Sequence, residues 1–195
     1  EVVFEIINDL EDYAQGKETS VGFSTGVKWL DEETPKLRLS DYWLIAGGAK
    51  AGKSTLALNF LKSLAVDNGK ACLFIGLEMP VKENVRRLMC LTASLSSRSL
   101  EVRGQPPEHV AKCLNFAVTK VGGAPVSFSF GPFDLQSIIS KIRQAKIANP
   151  ALYAVFVDYL QLVGNQGADN REGEIAGISR TLRSLAATEN LLIVA

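Results

Sequence analysis

The sequence predicts an α/β fold, a mostly parallel central sheet with helices on both faces. Three observations carry that prediction. Short apolar runs alternate with stretches whose apolar residues recur at helical spacing. Most of the runs are continuously apolar, as in strands covered on both faces, while in 126–130 Ser127 and Ser129 alternate with apolar neighbours. The chain has 195 residues, 47% hydrophobic and 22% charged, enough for one domain with a full core.

The elements follow in order. Residues 1–15 read as a helix: Val3, Ile6, Ile7, Leu10 and Ala14 share one face, and Glu1, Glu5, Asp9, Glu11 and Asp12 mark a solvated one. That stripe needs a partner surface, on this chain or on a neighbour. Residues 16–24 read as a polar linker, and residues 25–195 as the domain. Residues 42–46 form a first strand, followed by a glycine-rich loop and a helix through Leu56, Phe60, Leu61 and Leu64 that Gly69 ends. Residues 71–76 form a second strand. A helix with Val85, Leu88 and Met89 on one face follows Pro80, and Pro106-Pro107 opens another through Val110, Leu114 and Ala117. A third strand spans 126–130, then a helix carries Leu135, Ile138, Ile139 and Ile142. A fourth strand covers 152–157. The last helix carries Ile175, Ile178, Leu182 and Leu185, and residues 191–195 begin a fifth strand. A buried strand is a poor place for a protein to stop, which points to a longer protein.

Lysine plus arginine equals aspartate plus glutamate, 21 against 21. A tight, monomeric, non-specific nucleic-acid binder would show a basic excess; a local basic surface assembled from several subunits remains open. Cys72, Cys90 and Cys113 are irregularly spaced and His109 is the one histidine, so no zinc spacing or catalytic triad is present. Scattered cysteines read as reduced core thiols. No run approaches the ~20 apolar residues of a membrane span. The first residues lack a basic leader segment, so the expected location is cytoplasmic.

Gly47-Gly48-Ala49-Lys50-Ala51-Gly52-Lys53-Ser54 is a phosphate-binding loop, and Thr55 continues it into the helix. Its glycines let backbone N–H groups turn inward toward phosphate oxygens, and the next helix offers its N-terminus to the same anion. Lys53 is expected to reach the β- and γ-phosphates, and the Ser54 hydroxyl to ligate Mg²⁺. Val155-Phe156-Val157-Asp158 is an apolar strand ending in an acid, the arrangement of a second metal ligand. Glu78 lies two residues past the second strand. If that strand neighbours the loop-bearing one, Glu78 stands at the same carboxyl edge as a base for water; otherwise it is an acid favoured at a helix start. The polar loop 164–173 is open between a ligand or nucleic-acid contact through Arg171 and a plain surface loop.

Together these residues resemble the RecA-type ATPase domain of the DnaB-like replicative helicases. Thr25-Gly26-Val27 with Leu30-Asp31 resembles the family's opening segment, and Leu77-Glu78-Met79-Pro80 its Leu-Glu-Met-Pro. Asp158-Tyr159-Leu160-Gln161-Leu162 matches its Walker B, and Glu174-Ile175-Ala176 with Ile178-Ser179-Arg180, Leu182 and Leu185-Ala186 the helix after it. The resemblance runs from about residue 20 to the end. It implies that Glu78 activates water and that ATP and Mg²⁺ are bound between subunits of a hexameric ring. It implies translocation on single-stranded DNA and unwinding of forked duplex, with primase and a helicase loader as further partners and no membrane. It implies that residues 1–15 dock on a neighbouring subunit. It also places a γ-phosphate-sensing glutamine, an arginine finger and the main DNA-binding loops beyond Ala195, so this stretch alone is expected to bind nucleotide weakly and not to unwind DNA. Many family loops have Arg-Pro where Gly48-Ala49 stands here, and a small or hydroxyl residue in place of Lys50. The competing readings are a RecA-like recombinase or regulatory ATPase, and a non-enzymatic nucleotide-binding partner; the presence of Lys53, Ser54, Glu78 and Asp158 together speaks against the latter.

Overall fold

Sheet formation here follows from short apolar strands, the central three of them buried on both faces and the two edge strands partly exposed. The computed structural model describes residues 22–48, 50–96, 107–158 and 171–195, with Arg171 described by its backbone only. Among these residues one five-stranded sheet has the order β1-β5-β4-β2-β3, every pairing parallel. The strands are β1 (Tyr42–Trp43), β2 (Ala71–Gly76), β3 (Val126–Phe130), β4 (Leu152–Asp158) and β5 (Leu192–Val194). The helices are α1 (Lys28–Glu33), α2 (Lys53–Leu61, widening into a π-helical Lys62–Asp67), α3 (Val81–Ala93), α4 (Glu108–Gly122), α5 (Leu135–Ala148) and α6 (Arg171–Thr188).

Alternation along the strands splits the core in two. Val155 and Val157 of β4 face Ile138 and Ile142 of α5 and Ile178 and Leu182 of α6. Ala154 and Phe156 face Leu58, Leu61 and Leu64 of α2 and its π-helical extension, together with Leu88 of α3. Tyr42 and Trp43 divide in the same way. The Tyr42 hydroxyl accepts from Ser179 Oγ of α6 at 2.9 Å, and Trp43 meets Phe60 of α2 edge to face at 5.6 Å.

Helix ends carry recognisable stops. Asp134 caps α5 by accepting the Ser137 N–H at 2.8 Å. The α3 helix starts after Pro80 and ends at Ser94, which is left-handed at φ 54°, with Leu95 N–H reaching Cys90 O at 2.9 Å.

Three expectations change. The first strand spans two residues rather than 42–46: its one partner is β5, and after Trp43 the ladder continues only as Ile45 N–H to Ala195 O at 2.8 Å. The second strand does not neighbour the loop-bearing strand; β5 and β4 lie between them. Residues 171–173, read as part of a loop, begin α6. The expected helix 1–15, most of the linker, and residues 159–170 lie outside the described residues.

Candidate functional site at the carboxyl edge of the sheet

Because all five strands run parallel, their carboxyl ends share one edge, where ligands bind in such sheets. The loop after β1, the turn after β2 and the last residue of β4 meet there.

Gly52, the N-cap of α2, has φ 93°, and an added Cβ would meet nothing within 4 Å, so glycine serves the backbone angle rather than space. Lys50 is also left-handed, at φ 60°, and exposed. Lys53 Nζ donates to Gly47 O at 3.0 Å and to Gly48 O at 2.9 Å, so the loop's own carbonyls hold the ammonium at its mouth. Ser54 follows in the first turn, and Thr55 is exposed beside it. Ala51 and Gly52 complete the loop, with Ala51 N–H reaching Gly48 O at 3.3 Å; Ala49 lies outside the described residues.

Asp158 ends β4 and is 8% exposed. Ser54 Oγ donates to its Oδ1 at 3.1 Å across 104 residues of sequence. Burial pushes the Asp158 carboxyl above the ordinary range; the Ser54 bond opposes this, the Glu78 charge adds to it, and Arg87 and Lys53 oppose it. A buried carboxylate next to a hydroxyl, both hard oxygen donors, fits a small divalent cation, which would offset the burial. Asp158 itself lines a cavity of ≈ 20 Å³, together with Ile45, Lys53, Ala57 and Val194 among others.

Glu78 stands exposed on the turn after β2. The neighbour that brings it to the site is β4. Gly76 pairs with Asp158, and Leu77 N–H donates to Asp158 O at 2.8 Å. Lys53, Ser54, Glu78 and Asp158 therefore lie at one edge.

Sequence reasoning quoted Asp31 only through a resemblance, without its contacts, and missed two further supports, Ser63 and Asn84. Asp31 closes the opening segment, its carboxylate accepting from Ser24 Oγ at 2.6 Å and Thr25 N at 2.7 Å. Ser63 of the π-helical segment donates to Ser24 O at 2.6 Å, tying the opening segment to α2. Asn84 of α3 is 1% exposed and donates from Nδ2 to Met79 O at 3.2 Å. A signal for it existed, since a polar residue stands four before Leu88 on the buried stripe.

Residues 22–195 match the family model of the DnaB-like helicase C-terminal domain. The probable plasmid replicative DNA helicase of Chlamydia psittaci is 33% identical over 175 residues, covering 89% of this chain and 38% of that protein. The replicative DNA helicase DnaC of Bacillus subtilis (strain 168) is 26% identical, covering 100% of this chain and 43% of that protein. The chain thus spans less than half the length of these relatives. Among solved structures, an ATPase domain superposes with TM-score 0.82 and 26% identity, covering 100% of this chain and 70% of that one. A DnaB-like replicative helicase studied for its interactions with primase superposes with TM-score 0.82 and 26% identity over 97% of this chain and 46% of that one. These matches support the helicase reading over the recombinase and the non-enzymatic partner, and the chain belongs to the DnaB-like helicase C-terminal domain family.

Proposed function

We propose that this chain is the motor part of a replicative DNA helicase, which hydrolyses ATP in a hexameric ring to move along single-stranded DNA and unwind a fork. One observation carries the reading above the others: Ser54 and Asp158, from a helix and a strand far apart in sequence, meet at 3.1 Å beside Lys53.

In this reading the backbone N–H groups of residues 47–54 and the N-terminus of α2 hold the phosphates. Lys53 exchanges the Gly47 and Gly48 carbonyls for β- and γ-phosphate oxygens. Ser54 and Asp158 would hold Mg²⁺, which would supply positive charge to the phosphate oxygens. Glu78 orients water and takes its proton. Residues 1–15 pack on a neighbouring subunit, and primase and a loader act on the assembled ring in the cytoplasm. Among the described residues no helix is long and apolar enough to cross a membrane.

Lys53→Ala in the complete protein tests the site. Removing a preorganised cation from the phosphates is expected to lower kcat for ATP by about 10²-fold or more. Turnover within about tenfold of wild type would contradict the assignment. Deleting residues 1–15 is expected to shift sedimentation from rings toward smaller species; unchanged rings would remove the docking role.

A further inference from the structure

The turn that carries Glu78 is pinned on both sides. Before it, Leu77 N–H donates to Asp158 O at 2.8 Å. After it, Met79 O accepts from Asn84 Nδ2 at 3.2 Å. Asn84 sits one turn into α3, its own N–H directed to Pro80 O at 3.3 Å, and its side chain is turned inward. The amide lies close against the end of β2: a Cβ at Gly76 would stand 3.1 Å from both Asn84 Nδ2 and Met79 O. Gly76 therefore leaves the room that the Asn84–Met79 contact occupies.

Asn84 is costly as a core residue. It shares the inward stripe of α3 with Leu88, 1% and 0% exposed, where an apolar side chain would satisfy packing. Its Oδ1 is buried with no hydrogen-bond partner among the described residues, and orphaned buried acceptors are rare in folded proteins. It stands apart from the ion pairs of the outer face, where Glu83 engages Arg87 at 3.1 Å and Arg86 at 3.8 Å. A destabilising polar group bonded to the residue after Glu78 is the kind of local conflict found where geometry serves function.

We infer that Asn84 is a positioning residue for Glu78: by holding the Met79 carbonyl it fixes the turn that aims the carboxylate at water. The inference rests on the reading of Glu78 as the water-activating group.

The test is a double-mutant cycle on ATP turnover by the complete protein. Glu78→Gln alone is expected to lower kcat by about 10²-fold or more. Asn84→Leu, which removes the donor and fills its space without changing charge, is expected to lower kcat by about tenfold, with KM for ATP within about twofold. In the Glu78→Gln background it is expected to add nothing. Asn84→Ser, which keeps a short donor, is expected to recover part of the loss. Asn84→Ala stands in for the leucine variant if that one fails to fold. Wild-type turnover in Asn84→Leu, or losses that multiply with Glu78→Gln, would overturn the inference. Normal turnover in Glu78→Gln would instead remove the assignment of Glu78 on which it rests.

Discussion

The Cys72 thiol lies on β2 beneath α2, 1% exposed. Burial pushes its pKa up to about 12, a hydrogen bond from the Ala154 backbone opposing the shift only weakly. A raised thiol pKa means less thiolate, here a fraction of about 10⁻⁴ at pH 8, and the thiolate is the nucleophile. Iodoacetamide at that pH is expected to label half-buried Cys113 well before Cys72 or Cys90 in the folded protein, and all three in urea. Peptide mass spectrometry showing Cys72 labelled as fast as Cys113 would contradict this. The same burial logic separates what the sequence told from what it hid. Lys53, Ser54 and Asp158 were legible from motif spacing along the chain, and the structure sets Ser54 against Asp158 at 3.1 Å. Ser63 and Asn84 were not. A buried hydroxyl or amide is chosen by its three-dimensional partners, Ser24 O and Met79 O, which lie on other elements or across a turn.

At the scale of elements, the apolar periodicity located the helix after the phosphate loop and its stop at Gly69, but not its change of pitch. The last turns are π-helical, and contacts there are spaced five apart: the Lys62 and Asp67 side chains meet at 2.7 Å, and Asn68 Nδ2 donates to the Ser63 backbone carbonyl at 2.7 Å. That widening accompanies the turning of Ser63 toward the opening segment. Strand order was equally invisible, because parallel strands joined by helices satisfy the same apolar pattern in several orders. The opening segment shows what its Thr-Gly and Leu-Asp do. Gly26, at φ 79°, passes 3.3 Å from Ser63 Cβ by the position its own Cβ would take, while Asp31 ties down Ser24 and Thr25. Burial raises the Asp31 pKa, but the Ser24 and Thr25 hydrogen bonds and Lys36 outweigh it, so the net shift is downward. A depressed folded pKa stabilises above the unfolded value, near about 4, and that contribution is lost as pH falls through the folded one. Asp31→Asn is therefore expected to lose about 1 kcal/mol at pH 7, modest because the charge is partly solvated, with the deficit shrinking below about pH 4. A deficit in urea unfolding that stayed constant down to pH 3 would show that the carboxylate is not its source.

For the molecule as a whole, the sheet makes two cores of one chain, and the site depends on both. Asp158 emerges from β4, whose Val155 and Val157 pack toward α5 and α6 and whose Phe156 packs toward α2. On the second face Phe156 stacks on Phe74 at 6.1 Å and 18°, and Phe74 meets Phe128 at 5.7 Å. Substitutions on opposite faces share no cluster, so their costs are expected to add. Ile142→Val is expected to cost about 1 kcal/mol and Phe156→Leu about 1 to 2 kcal/mol, and the double variant their sum within about 0.5 kcal/mol. Phe74→Leu with Phe156→Leu should behave differently. The first substitution already forfeits the ring pair, worth about 0.5 to 1.5 kcal/mol, so the second loses less than it does alone. Urea unfolding of the single and double variants against wild type checks both statements. Non-additivity across the sheet as large as that between the rings would mean that the two faces respond as one body. A disturbance under α5 would then be felt at Ser54 as strongly as one beneath α2.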